Sequence, residues 1–201
     1  MTWKNRLWGA ALSAALMAMG IAGAEAQQQP KTLRIAMTAT DVPTTTGMPN
    51  NGFEGMRFLG YPVFESLVLW DLSRADQVAG IKPGLAERWE QDANDPRIWR
   101  FHLRRGVKFS DGTPFTADDV VFSVQRARSP GSNVQGVLAS VKEVRKIDDH
   151  TVDFETTVPN PILLQEITNW GMFSRAWAEK NNATRPADLT TREENFATRN
   201  A

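Results

Sequence analysis

The sequence predicts a mixed α/β fold, and three stretches carry that prediction. In 98–109, Trp99, Phe101 and Leu103 alternate with Arg100, His102 and Arg104, the pattern of a strand with one buried face. Thr116-Ala117-Asp118-Asp119 then has the form of a helix start, with Thr116 at the N-cap and two carboxylates near the positive end of the helix dipole. That helix is expected to run to about Arg128, to bury Val120, Val121 and Val124, and to stop before Ser129-Pro130-Gly131. The third stretch is a hairpin: 141–147 and 151–158 flank Asp148-Asp149-His150, and Val152, Phe154 and Thr156 alternate with Asp153 and Glu155. Its first strand is the less regular of the two.

The remaining elements follow in chain order. Lys4 and Arg6 precede an apolar stretch over 7–24, and Ala24-Glu25-Ala26 leads into Gln27-Gln28-Gln29, so 1–26 reads as a secretory signal peptide. Cleavage would leave Gln27 as the mature N-terminus of an exported chain. An uncleaved anchor is the competing reading, because about eighteen residues is near the lower limit for a spanning helix. No later run has that apolar length, and a soluble mature chain is expected. A strand is expected over 32–37, followed by a Thr-rich loop over 38–51. The stretch 58–70 reads as helix then strand, Lys82-Pro83-Gly84 as a turn, and 85–90 as a short segment ending in Asn94-Asp95-Pro96. Gly106 interrupts the one-sided strand, Val107 and Phe109 resume it, and Asp111-Gly112 makes a turn. Asn160-Pro161 caps a further helix expected to carry Ile162, Leu163 and Ile167 inward, and from Asn181 the chain turns polar.

Composition excludes several functions. The 201 residues contain no cysteine, which rules out disulfides, thiolate metal sites, a cysteine nucleophile and a lipidated N-terminal cysteine. A 41% hydrophobic content with seven Trp and ten Phe is enough for a core without cross-links. Formal charge is zero, and removing Lys4, Arg6 and Glu25 leaves 21 basic against 22 acidic side chains, so charge gives no reason to expect nucleic acid as a partner. His102 and His150, the two histidines, have no ligand partners at metal-like spacing. Asp118-Asp119 and Asp148-Asp149 are explained by capping and turn chemistry. Without a phosphate loop, nucleophile elbow or zinc-protease motif, the chain does not read as an enzyme, and no cofactor or metal is expected.

The ordered block Lys82-Pro83-Gly84-Leu85-Ala86-Glu87-Arg88-Trp89, continued by Trp99-Arg100-Phe101-His102-Leu103-Arg104-Arg105-Gly106-Val107-Lys108-Phe109-Ser110-Asp111-Gly112-Thr113-Pro114-Phe115-Thr116-Ala117-Asp118-Asp119-Val120-Val121-Phe122-Ser123, resembles the extracellular solute-binding family that includes the dipeptide- and oligopeptide-binding proteins. Looser resemblance runs from Leu33 to about Trp177. The block is scaffold, one supersecondary unit, and identifies a family without identifying a ligand.

The resemblance implies the N-terminal part of a two-lobed periplasmic-binding-protein-like fold, truncated, in which 27–44 forms the first strand of lobe I, 45–160 a smaller α/β subdomain packed on lobe I, and 161–201 a return into that lobe. It implies a monomeric component of an ABC importer that closes over a small solute, peptide by default, and presents it to a membrane permease. Nickel complexes, haem, opines and oligosaccharides are the other ligands of such scaffolds. By position, Thr38, Thr40 and Asp41 would line the cleft, and Trp170 would reach it or sit in the core. The acidic residue that pairs with a peptide's amino group in many members would lie beyond Ala201. A truncated, nonbinding remnant or periplasmic interaction module is the alternative.

Overall fold

In the computed structural model, the residues described are 32, 34, 63–130, 132 and 134–186. The chain divides into two units, 1–36 and 37–201. In the first, only Thr32 and Arg34 are described, both exposed. The rest concerns the second. The expected leader, the strand at 32–37 and the Thr-rich loop lie largely or wholly outside the described residues.

Among the described residues the first sheet is a short antiparallel pair: β1 (Val68–Trp70) runs against β2 (Ile81–Pro83), with Val68 opposite Pro83 and Trp70 opposite Ile81. Strand is therefore what the structure shows at the end of the ambiguous 58–70 run. Gly84 then lies so close to the Ser66 carbonyl that a Cβ there would collide with it. The close approach lets Gly84, Leu85 and Ala86 donate backbone bonds to the carbonyls of Ser66 and Leu67.

The centre is a four-stranded antiparallel sheet in the order β3-β4-β6-β5, formed by β3 (Ala86–Gln91), β4 (Ile98–Leu103), β5 (Val141–Asp148) and β6 (Thr151–Thr156). The β3–β4 turn is closed by carboxylates at Asp92, which accepts from the Asn94 and Asp95 amides, and at Asp95, which accepts from Arg97. β4 alternates as expected: Phe101 and Leu103 are buried, while His102 is half-buried beside Glu90 and Arg88. Phe101 meets Phe154 of β6 edge-on, with ring centres 5.1 Å apart. β5 carries two register irregularities, the expected looseness of the hairpin's first strand.

β6 departs from simple alternation, since all six of its residues are buried. It is an interior strand, flanked on both sides, and its two acids are covered by long cations. Arg100 makes a bidentate pair with Asp153 at 2.7 and 2.8 Å, and Lys142 and Arg145 reach Glu155 at 2.7 and 3.2 Å.

Helix α1 (Ala117–Arg128) packs on β5 and β6, burying Val120 and Val124, whereas Val121, expected to be buried, is only half-buried. Two further expectations are corrected. Val107 to Phe109 forms no strand: the tight turn at Asp111-Gly112, with Gly112 at φ +86°, leaves room for a single bridge, Lys108 to Pro114. Ile162 does not point inward but is 55% exposed. Asn160 Oδ1 accepts from the Ile162 amide, which holds Pro161-Ile162 as a turn and delays α2 to Leu163–Glu166. Leu163 and Ile167 are buried as expected. The final described helix is α3 (Arg175–Lys180), capped by Ser174 Oγ accepting from the Trp177 amide.

Among the described residues, no helix is long and apolar enough to cross a membrane.

Candidate functional site

A groove of about 380 Å³ lies where three segments meet: the entry to β1 (Val63, Phe64, Glu65), the turn 107–115, and the irregular return segment before α3. Each wall has a local cause. Phe109 and Phe115 are brought face to edge, 5.9 Å apart, by the bonds Phe109 N–H to Thr113 O and Phe115 N–H to Val107 O. Asp111 Oδ1 locks the turn by accepting from the Thr113 amide and hydroxyl, and the hydroxyl bond and then the amide bond hold its carboxyl below the usual carboxylate range. Met172 is drawn against the opposite wall by its amide bond to Glu65 O. Gly171 allows that approach, since a Cβ there would stand 2.6 Å from the Phe64 Cβ.

The groove is lined mainly by Phe64, Leu85, Val107, Phe109, Met172 and Trp177, with Glu65, Lys108, Asp111 and Ser174 as its polar members. Such a surface can receive an apolar side chain or element. Among the described residues no three His or acidic side chains converge as a metal site.

One carboxylate holds this region to the helix behind it. Asp119, 6% exposed, accepts from the Thr116 amide at 2.9 Å through one oxygen and from the Arg175 amide at 2.9 Å through the other. The N-termini of α1 and α3 are thus tied to one side chain. Its neighbour Asp118 points outward to Lys146 at 2.7 Å. Behind the groove, Ser123 Oγ accepts from the Phe173 amide and lies 3.2 Å from the Phe173 carbonyl, to which it donates.

Of the residues singled out in the sequence, Thr38, Thr40 and Asp41 lie outside the described residues. Trp170 is 1% exposed and belongs to the core cluster with Leu163 and Ile167. Its neighbours Met172 and Phe173 line the groove. Sequence reasoning missed the groove's wall at 107–115, because Val107 and Phe109 fit a strand pattern; the strong Asp-Gly turn was the available signal against it.

The mixed α/β fold, an antiparallel sheet with one helix across it, is similar to that of solved periplasmic binding proteins. Haemophilus influenzae OppA in complex with the peptide RPPGFSPFR superposes with a TM-score of 0.58 at 26% identity, over 69% of this chain and 30% of that one. Burkholderia pseudomallei OppA gives 0.55 at 29% identity, over 61% and 27%.

The model of the bacterial extracellular solute-binding proteins, family 5 (middle) matches residues 80–194, and the chain belongs to that family. It is 35% identical over 162 residues to the periplasmic oligopeptide-binding protein OppA of Salmonella typhimurium, covering 63% of this chain and 29% of that protein. It is 34% identical over 125 residues to the dipeptide-binding protein of Escherichia coli, covering 53% and 22%. The chain therefore spans under a third of the length of these relatives. The matched residues contain the ordered block 82–123 from which the resemblance was read.

Proposed function

We propose that this chain belongs to the solute-capturing component of an ABC importer, working in the periplasm and delivering peptides to a membrane permease. The observation that carries this reading is the family match over 80–194, which coincides with the strand, turn and capped-helix unit built from Trp99 to Arg128. The relatives named above are an oligopeptide- and a dipeptide-binding protein, which supports peptides as the solute class. Export rests on the 1–26 leader, with Gln27 as the mature N-terminus. The cleft role of Thr38, Thr40 and Asp41 rests on their position after the first strand, and 27–44, 45–160 and 161–201 are the corresponding parts of lobe I.

A thermal-shift screen of the exported protein against mixtures of di- to pentapeptides tests the solute class. A peptide at about 100 times its Kd adds about 2.7 kcal/mol to the stability of the form that binds it, a readily measured rise in Tm. A cooperatively melting protein whose Tm no peptide moves would refute the reading. N-terminal sequencing tests export: Gln27 is expected, and Met1 on the periplasmic form would contradict a cleaved leader.

A further inference from the structure

Asp111-Gly112 is the one Asp-Gly pair in the sequence. Both residues are exposed, and a Cβ on Gly112 would meet nothing within 4 Å among the described residues, so water reaches the peptide between them. A glycine after an aspartate leaves the peptide nitrogen open to the carboxyl group behind it, because no side chain stands in the way. In such a pair the glycine nitrogen attacks the aspartate carboxyl carbon. The new N–C bond closes a five-membered succinimide, and a carboxyl oxygen leaves as water with the amide proton and the carboxyl proton. Water then adds to the ring's other carbonyl carbon and breaks that carbon's bond to nitrogen, which takes up a proton. The main chain now runs through the side-chain carbons as isoaspartate, one CH2 longer and unchanged in mass.

The turn holds the two reacting groups apart. Gly112 N–H donates to Phe109 O at 2.9 Å, which occupies the attacking nitrogen. Asp111 Oδ1 accepts from the Thr113 amide at 2.9 Å and from its hydroxyl at 2.6 Å, which aims the carboxyl at residue 113. The same two donors favour the carboxylate, whereas cyclisation needs the neutral acid to release water. Thr113 is itself seated: Oγ1 lies 3.4 Å from Ser174 Oγ at the cap of α3, and its carbonyl accepts from the Phe109 amide. We propose that Asp111 is a latent site of isoaspartate formation that Thr113 keeps closed, and that its modification dismantles the Phe109 wall of the groove. An extra CH2 between residues 111 and 112 separates the partners of the bonds Gly112 to Phe109 and Phe109 to Thr113, which hold Phe109 against Phe115.

The test incubates the intact chain at neutral pH, folded in buffer and unfolded in urea, and locates isoaspartate by peptide mapping with electron-transfer dissociation. Folded wild type is expected to isomerise at Asp111 at least about tenfold more slowly than the unfolded chain, because the closed turn must first open. Removing one hydrogen bond from the carboxylate in Thr113→Val should raise the folded rate about two- to tenfold, and Thr113→Ser, which keeps the hydroxyl, should leave it unchanged. Equal rates for folded and unfolded wild type, or no isoaspartate at 111 in the unfolded chain, would overturn the proposal without recourse to a variant. So would a cooperatively unfolding Thr113→Val that isomerises at the wild-type rate. The isomerised protein, separated by ion exchange, should unfold at lower urea than the unmodified one, and an unchanged midpoint would overturn the loss of the groove wall.

Discussion

Replacing Asp119 should separate two adjacent carboxylates that look alike in the sequence. Asp119→Ala removes the acceptor for two backbone amides, those of Thr116 and Arg175, each at 2.9 Å from a side chain that is 6% exposed. Hydrogen bonds to a charged acceptor contribute about 1.5–3 kcal/mol each, and because water can partly replace the carboxylate at two helix ends the lower edge applies, a total of about 3 kcal/mol. Asp119→Asn keeps one acceptor oxygen but turns an amide donor toward the other N–H, and should lose about 2 kcal/mol. Asp118 is half-exposed and pairs with Lys146, which also holds Asp149, so Asp118→Ala should cost about 0–1 kcal/mol. The assay is urea unfolding followed by tryptophan fluorescence. With m of about 1–3 kcal/mol per molar urea, Asp119→Ala should lower the midpoint by about 1–3 M at unchanged m. Agreement of Asp119→Ala and Asp118→Ala within about 0.5 kcal/mol would refute the assigned double tether.

Three further outcomes follow from other parts of the structure. Gly84→Ala should destabilise far more than Gly106→Ala, because the first puts a Cβ into the Ser66 carbonyl while the second adds only the strain of φ +75°, about 1 kcal/mol; equal midpoints in the same urea assay would contradict this. Arg100→Met leaves the buried Asp153 carboxylate without its bidentate partner and should cost on the order of 2 kcal/mol, more than Arg74→Met, whose partner Asp76 is exposed. Asp95 accepts from the Arg97 side chain and then its backbone amide, which lowers its pKa to about 2 from 3.8. A depressed carboxylate stabilises the fold above its unfolded pKa and loses that contribution as pH falls through the folded one, so wild type should lose stability relative to Asp95→Asn between about pH 4 and 2; parallel pH profiles would count against the pairing.

Much of the sheet and helix was legible in the sequence because each signal was local. Trp99, Phe101 and Leu103 had strand period, Thr116 and Asp119 stood at capping spacing, and Asp148-Asp149-His150 formed a turn between two β-rich runs. What escaped depends on contacts distant in sequence. Asp153 and Glu155 looked like solvent-facing residues until Arg100, Lys142 and Arg145 were placed over them from neighbouring strands. The burial of Arg126 depends on the return of 170–183 across the helix, which no local signal reports. Ile162 had the right spacing for a buried helix position, but Asn160 spends those residues on a turn. The groove was invisible for the same reason, since Phe64, Phe109 and Met172 are far apart along the chain.

Solute capture is tested most directly by native mass spectrometry of the protein isolated from the periplasm, before and after incubation with a defined peptide mixture. Binding predicts discrete adducts of peptide mass at one-to-one stoichiometry, displaced by a second peptide in excess. A single unliganded mass under both conditions, from protein that unfolds cooperatively, would contradict peptide capture.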